Sequence, residues 1–222
     1  MTEAEIRDAL VHYSRETITR KLSNATAGNM SIRGGRGMFI TPTSVPPEAM
    51  TADQMVDMAL DGTHDGAWRP SSEWALHARL YQQRPEIGAV VHAHPLYCVA
   101  LSCLRQPIPP FHYMVAGFGG TEVPCARYET FGTIELADAV AETMGTRLTA
   151  CLMANHGMIA VGRDLAAAFA RTEKLEVLAQ QYQMARATGG EIVMLTEAEM
   201  QDVIRSYTSS GYGDPRRAAA GT

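Results

Sequence analysis

The residues whose types and spacing best predict chemistry are two histidines, His92 and His94, which follow the apolar run 87–91. Such a run is typical of a β-strand, where residues two apart point to the same face. Both imidazoles can therefore reach one metal ion from one strand end. His156 lies in a short turn between two apolar segments and is the candidate third ligand. Three neutral imidazoles with one open position describe a catalytic zinc site.

Glu73 is the candidate acid–base residue beside this metal site. We place it on the first turn of a helix, where the helix dipole favours the ionised carboxylate. It could be a fourth metal ligand, a general base, or each in turn. His77 shares its helix face and is a competing ligand, although a structural role is favoured. The order Glu-x-x-x-His differs from the His-Glu-x-x-His of zincin proteases.

Small polar residues in three separate segments predict an anion site close to the metal. They occupy 26–29, 41–44 and 71–72, and Ser71 or Ser72 is predicted to cap the helix that carries Glu73. Free backbone N–H groups at a helix start favour a phosphate. The segments differ from a P-loop, which requires GxxxxGK[ST]. The predicted phosphate-binding residues are Thr26, Gly28, Asn29, Thr43, Ser44, Ser71 and Ser72.

The elements that must position these groups alternate along the chain. A capping box of Thr2 and Glu5 opens a helix that is predicted to reach about residue 22. Strands are predicted at 30–33, 38–41, 54–60, 87–91, 151–154 and 158–161. Helices are predicted at 71–83, 95–104, 134–144, 165–187 and 197–207. These elements predict one domain over 1–208, and we expect the tail 209–222, rich in Gly, Arg and Ala, to be mobile.

Composition limits the classes of partner. The 222 residues carry a net charge of −5, which argues against a nucleic-acid-binding surface. No apolar stretch approaches the roughly 20 residues of a membrane span. The acidic N-terminus lacks the features of a signal peptide, so a cytoplasmic location is expected. Cysteines without a CxxC pair are expected to be reduced and packed in the interior, namely Cys98, Cys103, Cys125 and Cys151.

Six short motifs follow one another with a characteristic spacing. They are Thr26-Ala27-Gly28-Asn29, Ile40-Thr41-Pro42-Thr43, Pro70-Ser71-Ser72-Glu73-Trp74, Val91-His92-Ala93-His94, His112-Tyr113-Met114 and His156-Gly157. Together they resemble the class II aldolase/adducin family, and most closely its L-fuculose-phosphate aldolase branch. The resemblance runs from the first helix to about residue 207. It implies an α/β fold (α+β-like) with a central, mostly antiparallel sheet flanked by helices.

The resemblance also implies the cofactor and the assembly. Zinc would be bound by His92, His94 and His156, with Mn²⁺ or Co²⁺ as alternative ions, and Glu73 would both approach the metal and handle protons. The family resemblance implies a homotetramer with active sites between subunits.

Tyrosines complete the site that the resemblance implies. Tyr113 would reach the neighbouring subunit's site and protonate the aldehyde oxygen. A tyrosine near the C-terminus closes the site in relatives, and the candidate here is Tyr212, with Tyr207 as the alternative.

The implied reaction is the reversible cleavage of a ketose 1-phosphate, similar to L-fuculose 1-phosphate, to dihydroxyacetone phosphate and an aldehyde. Cleavage leaves an enediolate, whose charge a Lewis acid would stabilise. One alternative is an aldolase for 5-methylthioribulose 1-phosphate or 5-deoxyribulose 1-phosphate, for which Phe118 would line the aldehyde side. Another is a pentulose-phosphate 4-epimerase, which typically carries Asp where this chain has Glu73. A non-catalytic, adducin-like scaffold is the alternative of a different class.

Overall fold

The computed structural model describes residues 1–209, in which one mixed sheet forms the centre of the fold. Its strands are β1 (Asn29–Gly34), β2 (Gly37–Ile40), β3 (Val56–Met58), β4 (Ala89–Ala93), β5 (Cys125–Ala126), β6 (Ala150–Met153) and β7 (Gly157–Gly162). Their order across the sheet is β3-β2-β1-β4-β7-β6-β5. Neighbouring strands run antiparallel except β5 and β6, which are parallel. The predicted mostly antiparallel sheet is confirmed.

Helices cover both faces of this sheet. They are α1 (Glu3–Thr19), α2 (Trp74–Gln83), α3 (Leu96–Ser102), α4 (Ile134–Met144), α5 (Leu165–Ala187) and α6 (Glu197–Ser209). The bounds of α4 and α5 match the prediction, because each begins at a residue whose side chain accepts a backbone N–H. Thr133 accepts from Leu136, and Asp164 accepts from Ala167. In the described part of the chain, the helices lack a stretch of the length and apolarity that would cross a membrane.

Two hydrophobic layers lie on opposite faces of the sheet. One contains buried residues of α1, α3, α5 and α6, and the other contains buried residues of α2 and α4. Strand β4 contributes to both, since Val91 faces the first layer and Val90 faces the second. The α2 face of β1 and β4 also carries polar side chains, and these form the site described below.

Helix α3 is fastened to α5 directly after the strand that carries the histidines. The carboxylate of Glu176 on α5 accepts the backbone N–H groups of Tyr97 and Cys98, each at 2.9 Å. These N–H groups belong to the first turn of α3 and lack partners within that helix. The end of β4 is therefore held by the sheet on one side and by α5 on the other.

Helix α1 and strand β3 are shorter than predicted, as are α2 and α3. Helix α1 ends at Thr19 rather than near residue 22, because Lys21 adopts a left-handed φ of 58°. The strand predicted at 54–60 is reduced to Val56–Met58. Residues Ala52–Gln54 before it form a 3₁₀ helix, and a tight turn follows in which the N–H of Gly62 binds the carbonyl of Ala59.

The expectation of interior cysteines is only partly correct. Cys98 and Cys151 are buried, and Cys125 is partly buried. Cys103 is exposed, because it caps the C-terminus of α3 where the chain turns away from the core.

Candidate active site

Three imidazole rings converge at one edge of the sheet. His92 belongs to β4, His94 follows the end of that strand, and His156 lies in the turn between β6 and β7. Asn155 adopts a left-handed φ of 54°, and the N–H of His156 binds the carbonyl of Met153, so the turn is tight. One nitrogen from each ring lies within 4.8 Å of the others. The structure therefore brings together the three histidines that the sequence predicted.

A backbone contact sets the tautomer of His92. Its Nδ1 donates to the carbonyl of Met158 at 2.8 Å, which leaves the Nε2 lone pair directed at the cluster. The Nε2 atoms of His92 and His94 are 2.9 Å apart. Two ring nitrogens at this distance share a proton in the absence of a cation, and both can bind one ion when they are deprotonated.

Gly157 allows the turn to approach the strand. A Cβ at this position would lie 2.6 Å from the carbonyl oxygen of Ala93 and 3.0 Å from the ring of His94. Both distances are shorter than normal van der Waals contacts. The glycine after His156 is therefore required by close packing against the end of β4.

Glu73 faces the histidines from the start of α2. Its Oε2 lies 3.2 Å from Nε2 of His92, and its Oε1 lies 3.4 Å from Nε2 of His156. Oε1 is buried and has no hydrogen-bond donor in the part of the chain that the structure describes. A buried carboxylate oxygen left without a donor is costly in a protein interior, and a cation among the rings would satisfy it.

The start of α2 differs from the prediction. Glu73, rather than Ser71 or Ser72, is the N-cap residue, and it precedes the first turn instead of lying on it. The N–H of Trp74 binds the carbonyl of Ser71, so residues 71–74 form a turn before the helix begins. The hydroxyl of Ser71 accepts the N–H of Glu73 at 3.2 Å, which leaves the Glu73 carboxylate free to face the rings.

The pKa values of these groups bear on metal binding, because a metal ion binds their deprotonated forms. Burial and the neighbouring His92 lower the pKa of His94 to about 3 and that of His156 to about 4, so both rings are neutral at pH 7. Burial alone would raise the pKa of Glu73, but His92, His156 and the amide of Asn29 hold it well below its ordinary value. Burial alone would lower the pKa of His92, but the Glu73 carboxylate and the carbonyl of Met158 raise it. Three imidazoles and one carboxylate are a donor set that fits zinc.

The Glu73 carboxylate also belongs to a buried polar network. The Asn29 amide donates to Oε2 of Glu73 at 2.9 Å, and Nε2 of His77 lies 2.6 Å from Oδ1 of Asn29. Nδ1 of His77 contacts the Ser31 hydroxyl at 2.7 Å, and that hydroxyl lies 2.9 Å from the hydroxyl of Tyr81. Both nitrogens of His77 are thus occupied outside the three-histidine cluster, as its favoured structural role requires.

A cavity of about 420 Å³ opens beside the three-histidine cluster. Glu73, His94 and His156 form its floor. Every residue predicted to bind phosphate also lines it, namely Thr26, Gly28, Asn29, Thr43, Ser44, Ser71 and Ser72. Three segments that are distant in sequence therefore meet around one space next to the candidate metal centre.

Backbone contacts join these segments. The N–H of Thr43 binds the carbonyl of Arg69, and the N–H of Ser71 binds the carbonyl of Thr41. Gly28 has a φ of +83°, and a Cβ there would lie 2.8 Å from the carbonyl oxygen of His92. The glycine thus lets the polar segment 26–29 lie directly against the end of β4.

One wall of the cavity was not predicted from the sequence. Tyr128, Glu129, Phe131 and Asn155 line it, together with Pro42. The guanidinium of Arg105 donates to Oδ1 of Asn155 at 2.6 Å and lies 5.5 Å from the ring centre of Tyr128. Periodicity gave no signal in this irregular segment. The only sequence feature that could have indicated a cleft here is the occurrence of two aromatic residues, Tyr128 and Phe131, close to Gly132.

The remaining candidate residues that the structure describes lie away from the cavity. Tyr113 begins the 3₁₀ helix Tyr113–Phe118, is 45% exposed and stacks on the ring of His112. Phe118 is fully buried in the core with its ring 5.6 Å from Nζ of Lys174, so the hypothesis that it lines the aldehyde side is wrong. Its position at the end of a 3₁₀ turn directs the ring inward. Tyr207 is on α6, and Tyr212 lies outside the described residues.

Comparison with known proteins identifies the family. The model of the class II aldolase and adducin N-terminal domain matches residues 8–183. The L-fuculose phosphate aldolase of Escherichia coli O6:H1 is 42% identical over 190 residues, which cover 86% of this chain and 88% of that protein. The 5-methylthioribulose-1-phosphate/5-deoxyribulose-1-phosphate aldolase of Rhodospirillum rubrum is 40% identical over 209 residues, covering 94% and 93%.

A solved structure agrees with this assignment. An L-fuculose 1-phosphate aldolase superposes with a TM-score of 0.88 at 36% identity, covering 94% of this chain and 98% of the other. The relatives are named as aldolases. The chain therefore belongs to the class II aldolase and adducin family and is one of its aldolases, a lyase.

Proposed function

We propose that this aldolase is zinc-dependent and reversibly cleaves a ketose 1-phosphate to dihydroxyacetone phosphate and an aldehyde. One observation carries the proposal: the three-histidine cluster faces Glu73 in a cavity lined by hydroxyl, amide and glycine groups. This arrangement pairs a candidate metal centre with an acid–base group and a site for an anion. An aldol cleavage of a phosphorylated sugar needs all three.

The metal would be held by His92, His94 and His156, with Glu73 as a fourth ligand when it is not handling a proton. Zinc in this position would supply Lewis-acid stabilisation of the negative charge that develops on substrate oxygens. The neutral rings of His94 and His156 and the partnerless Oε1 of Glu73 support this donor set. Mn²⁺ or Co²⁺ remain alternative ions, because imidazole and carboxylate ligands also accept them.

Glu73 is the proposed proton carrier. In the direction of synthesis, its carboxylate would remove a proton from the carbon of dihydroxyacetone phosphate that forms the new bond, while Tyr113 would protonate the aldehyde oxygen. In cleavage both transfers run in reverse: Tyr113 as phenolate would take the proton of the hydroxyl that becomes the aldehyde oxygen, and Glu73 as carboxylic acid would give its proton to the carbon at which the bond broke, the two groups exchanging protons with solvent between turnovers. The low pKa that its neighbours impose keeps it ionised as a base at pH 7. Its position between the rings and the cavity supports this role.

The phosphate would lie among the small polar groups of the cavity wall, namely Thr26, Gly28, Asn29, Thr43, Ser44, Ser71 and Ser72. Hydroxyl groups and backbone N–H groups donate to phosphate oxygens without adding bulk. In the described part of the chain, the residues that line this cavity include no lysine or arginine. Recognition would therefore rest on several neutral donors rather than on a cation.

The assembly and the tyrosines belong to the same proposal. Tyr113 is half-exposed and outside the cavity of its own subunit, so it would act at a neighbouring subunit's site within a homotetramer. There it would protonate the aldehyde oxygen. Tyr212 would close the site, with Tyr207 as the alternative. We propose a cytoplasmic location, where phosphorylated sugars are metabolised.

The candidate substrates differ in the aldehyde that cleavage releases. Relatives named for L-fuculose phosphate and for 5-methylthioribulose 1-phosphate are 42% and 40% identical to the chain, so identity does not separate the two substrates. The second candidate is therefore an aldolase for 5-methylthioribulose 1-phosphate or 5-deoxyribulose 1-phosphate. A 4-epimerase is disfavoured by Glu73 in the Ser-Ser-Glu motif.

The test is a substrate panel with zinc-loaded protein. Formation of dihydroxyacetone phosphate is measured by coupling to an NADH-dependent reductase, and kcat/KM is compared for L-fuculose 1-phosphate, 5-methylthioribulose 1-phosphate and 5-deoxyribulose 1-phosphate. A preference of at least about 10-fold in kcat/KM, about 1.4 kcal/mol in transition-state binding, identifies the substrate. Inactivity on every ketose 1-phosphate would refute the proposal.

A further inference from the structure

A continuous row of polar side chains lies buried between α2 and β1. It starts at the Glu73 carboxylate and continues through Asn29, His77 and Ser31 to Tyr81, with successive contacts of 2.9, 2.6, 2.7 and 2.9 Å. His77, Ser31 and Tyr81 are each at most 1% exposed. The part of the row formed by His77, Ser31 and Tyr81 lies among apolar residues of the second layer, so solvent does not compete for the hydrogen bonds there.

The spacing of the two elements produces this row. Glu73, the N-cap of α2, is followed at intervals of four residues by His77 and Tyr81, and four residues of a helix rise by about 6 Å. Asn29 and Ser31 are two apart along β1, a rise of about 6.7 Å. The two repeats nearly match, so side chains from the helix and the strand alternate. None of His77, Ser31 and Tyr81 lines the cavity.

The Glu73 carboxylate determines which group donates and which accepts in each hydrogen bond of the row. Ionised Glu73 only accepts, so the Asn29 group that faces it must be the NH₂. Oδ1 of Asn29 therefore faces His77 and needs a donor, which makes Nε2 of His77 the protonated nitrogen.

The other ring nitrogen is then an acceptor. Nδ1 of His77 must accept from the hydroxyl of Ser31, and Ser31 in turn accepts from Tyr81. Burial lowers the pKa of His77 to about 3, so the ring remains neutral and has one donor and one acceptor.

We infer that His77 is a positioning residue for the acid–base chemistry, because its Nε2–H fixes the Asn29 amide with the NH₂ group toward Glu73. This inference rests on the proposed role of Glu73. Without the Nε2–H donor, the buried Oδ1 of Asn29 loses its partner, and the amide is held only by its contact with the Glu73 carboxylate. The amide is then less restrained, so it no longer fixes the position of Glu73 relative to the rings of His92 and His156. His77 itself touches neither the cavity nor the three-histidine cluster.

The first test reads the tautomer directly and does not depend on activity. A long-range ¹H–¹⁵N spectrum of the wild-type protein should show His77 protonated at Nε2 and unprotonated at Nδ1. Protonation at Nδ1 would overturn the inference, because Asn29 would then have to present its NH₂ to the ring. This spectrum decides the direction of the row even if a variant does not fold.

The second test uses three variants with the identified substrate. His77→Leu removes the donor at similar volume, and kcat is expected to fall by about 10-fold or more with KM within about 2-fold. His77→Gln keeps an N–H₂ donor near the position of Nε2, and kcat should recover to within about 3-fold of wild type. Tyr81→Phe removes only the far end of the row, and kcat should change by less than about 3-fold.

The outcomes separate this inference from the proposed function. Wild-type kcat in His77→Leu, or an equal loss in His77→Leu and His77→Gln, would contradict a positioning role, since bulk alone would then explain the effect. If the wild-type protein cleaves no ketose 1-phosphate, the proposed function fails. The tautomer of His77 would still decide whether the row has the inferred direction.

Discussion

Asn29 lies directly opposite His92 in the antiparallel pairing of β1 with β4. The amide that contacts the Glu73 carboxylate and the ring that faces the same carboxylate therefore belong to one pair of facing residues. Side chains at facing positions of antiparallel strands have Cβ atoms roughly 5 Å apart, which is close enough to share a third group. The acid–base residue and the metal ligands are thus positioned by strand register as much as by the start of α2.

Glu73→Gln should abolish most catalysis without removing the side chain. The neutral amide keeps the volume but neither accepts nor delivers a proton, so kcat is expected to fall by about 100-fold or more. The measurement is steady-state cleavage with matched zinc content. Glu86→Gln, which changes a largely exposed carboxylate after α2, is the control and should retain wild-type kcat. Full activity of Glu73→Gln would remove Glu73 from the mechanism.

Removal of zinc should inactivate the protein reversibly. Dialysis against a chelator is expected to remove one ion per subunit, abolish cleavage and lower the melting temperature, because a metal that binds the native state stabilises it by mass action. Elemental analysis and calorimetry before and after re-addition of zinc provide the measurement. His156→Ala should show the apo behaviour without chelation, whereas His12→Ala, on the exposed side of α1, should not.

Gly28→Ala should destabilise the fold more than a matched glycine substitution. Gly28 and Gly189 both have left-handed backbones, with φ of +83° and +74°, so alanine costs about 1 kcal/mol at each. Only at position 28 does the new Cβ meet other atoms, since Gly189 has nothing within 4 Å. In urea denaturation, the free energy of unfolding should fall by about 1–3 kcal/mol more for Gly28→Ala than for Gly189→Ala. Equal losses for the two variants would show that the close contact is relieved without cost.

His77 should make the protein less stable in acid. The lowered native pKa of about 3 means that the unfolded chain binds a proton below about pH 6.5 while the native chain does not. The free energy of unfolding therefore falls from pH 6.5 toward pH 3, and His77 makes no such contribution above pH 6.5. The free energy of unfolding is measured by denaturation at pH 7 and at pH 5. Its decrease from pH 7 to pH 5 should be smaller in His77→Gln than in wild type, by on the order of 1–2 kcal/mol.

Mixed subunits test whether Tyr113 acts at a neighbouring site. Tyr113→Phe and Glu73→Gln should each be inactive as pure proteins. If the active site is shared between subunits, refolding the two variants together creates some sites with both wild-type groups, and activity reappears. Because Tyr113 is half-exposed and outside its own cavity, we expect this recovery. A mixture as inactive as its components would place Tyr113 within its own subunit's chemistry or outside catalysis.

Local patterns made much of the fold and the site predictable. The period of two placed His92 and His94 on one face, and strong caps at Thr133 and Asp164 defined α4 and α5. The three polar segments also meet as expected around one cavity. These features depend on a few neighbouring residues, so the sequence contains the information directly.

The incorrect predictions concern features that are determined by tertiary contacts. Ser71 resembles a helix cap, but a turn forms first and Glu73 takes the capping position. Phe118 lies in a glycine-rich segment that resembles an exposed loop, yet a 3₁₀ helix directs its ring into the core. The wall formed by Tyr128 and Phe131 has no periodicity, and its approach to the cavity is set by contacts far away in sequence, such as that of Arg105 with Asn155.

The matched repeats of α2 and β1 restrict how this chain can change in length. One residue inserted between Glu73 and Tyr81 would rotate the rest of the helix by about 100° and disconnect the row of hydrogen bonds. One residue inserted between Asn29 and Ser31 would turn the following side chains to the opposite face of the sheet. Insertions and deletions are therefore expected in the connections, such as 61–69, while both segments keep a fixed number of residues.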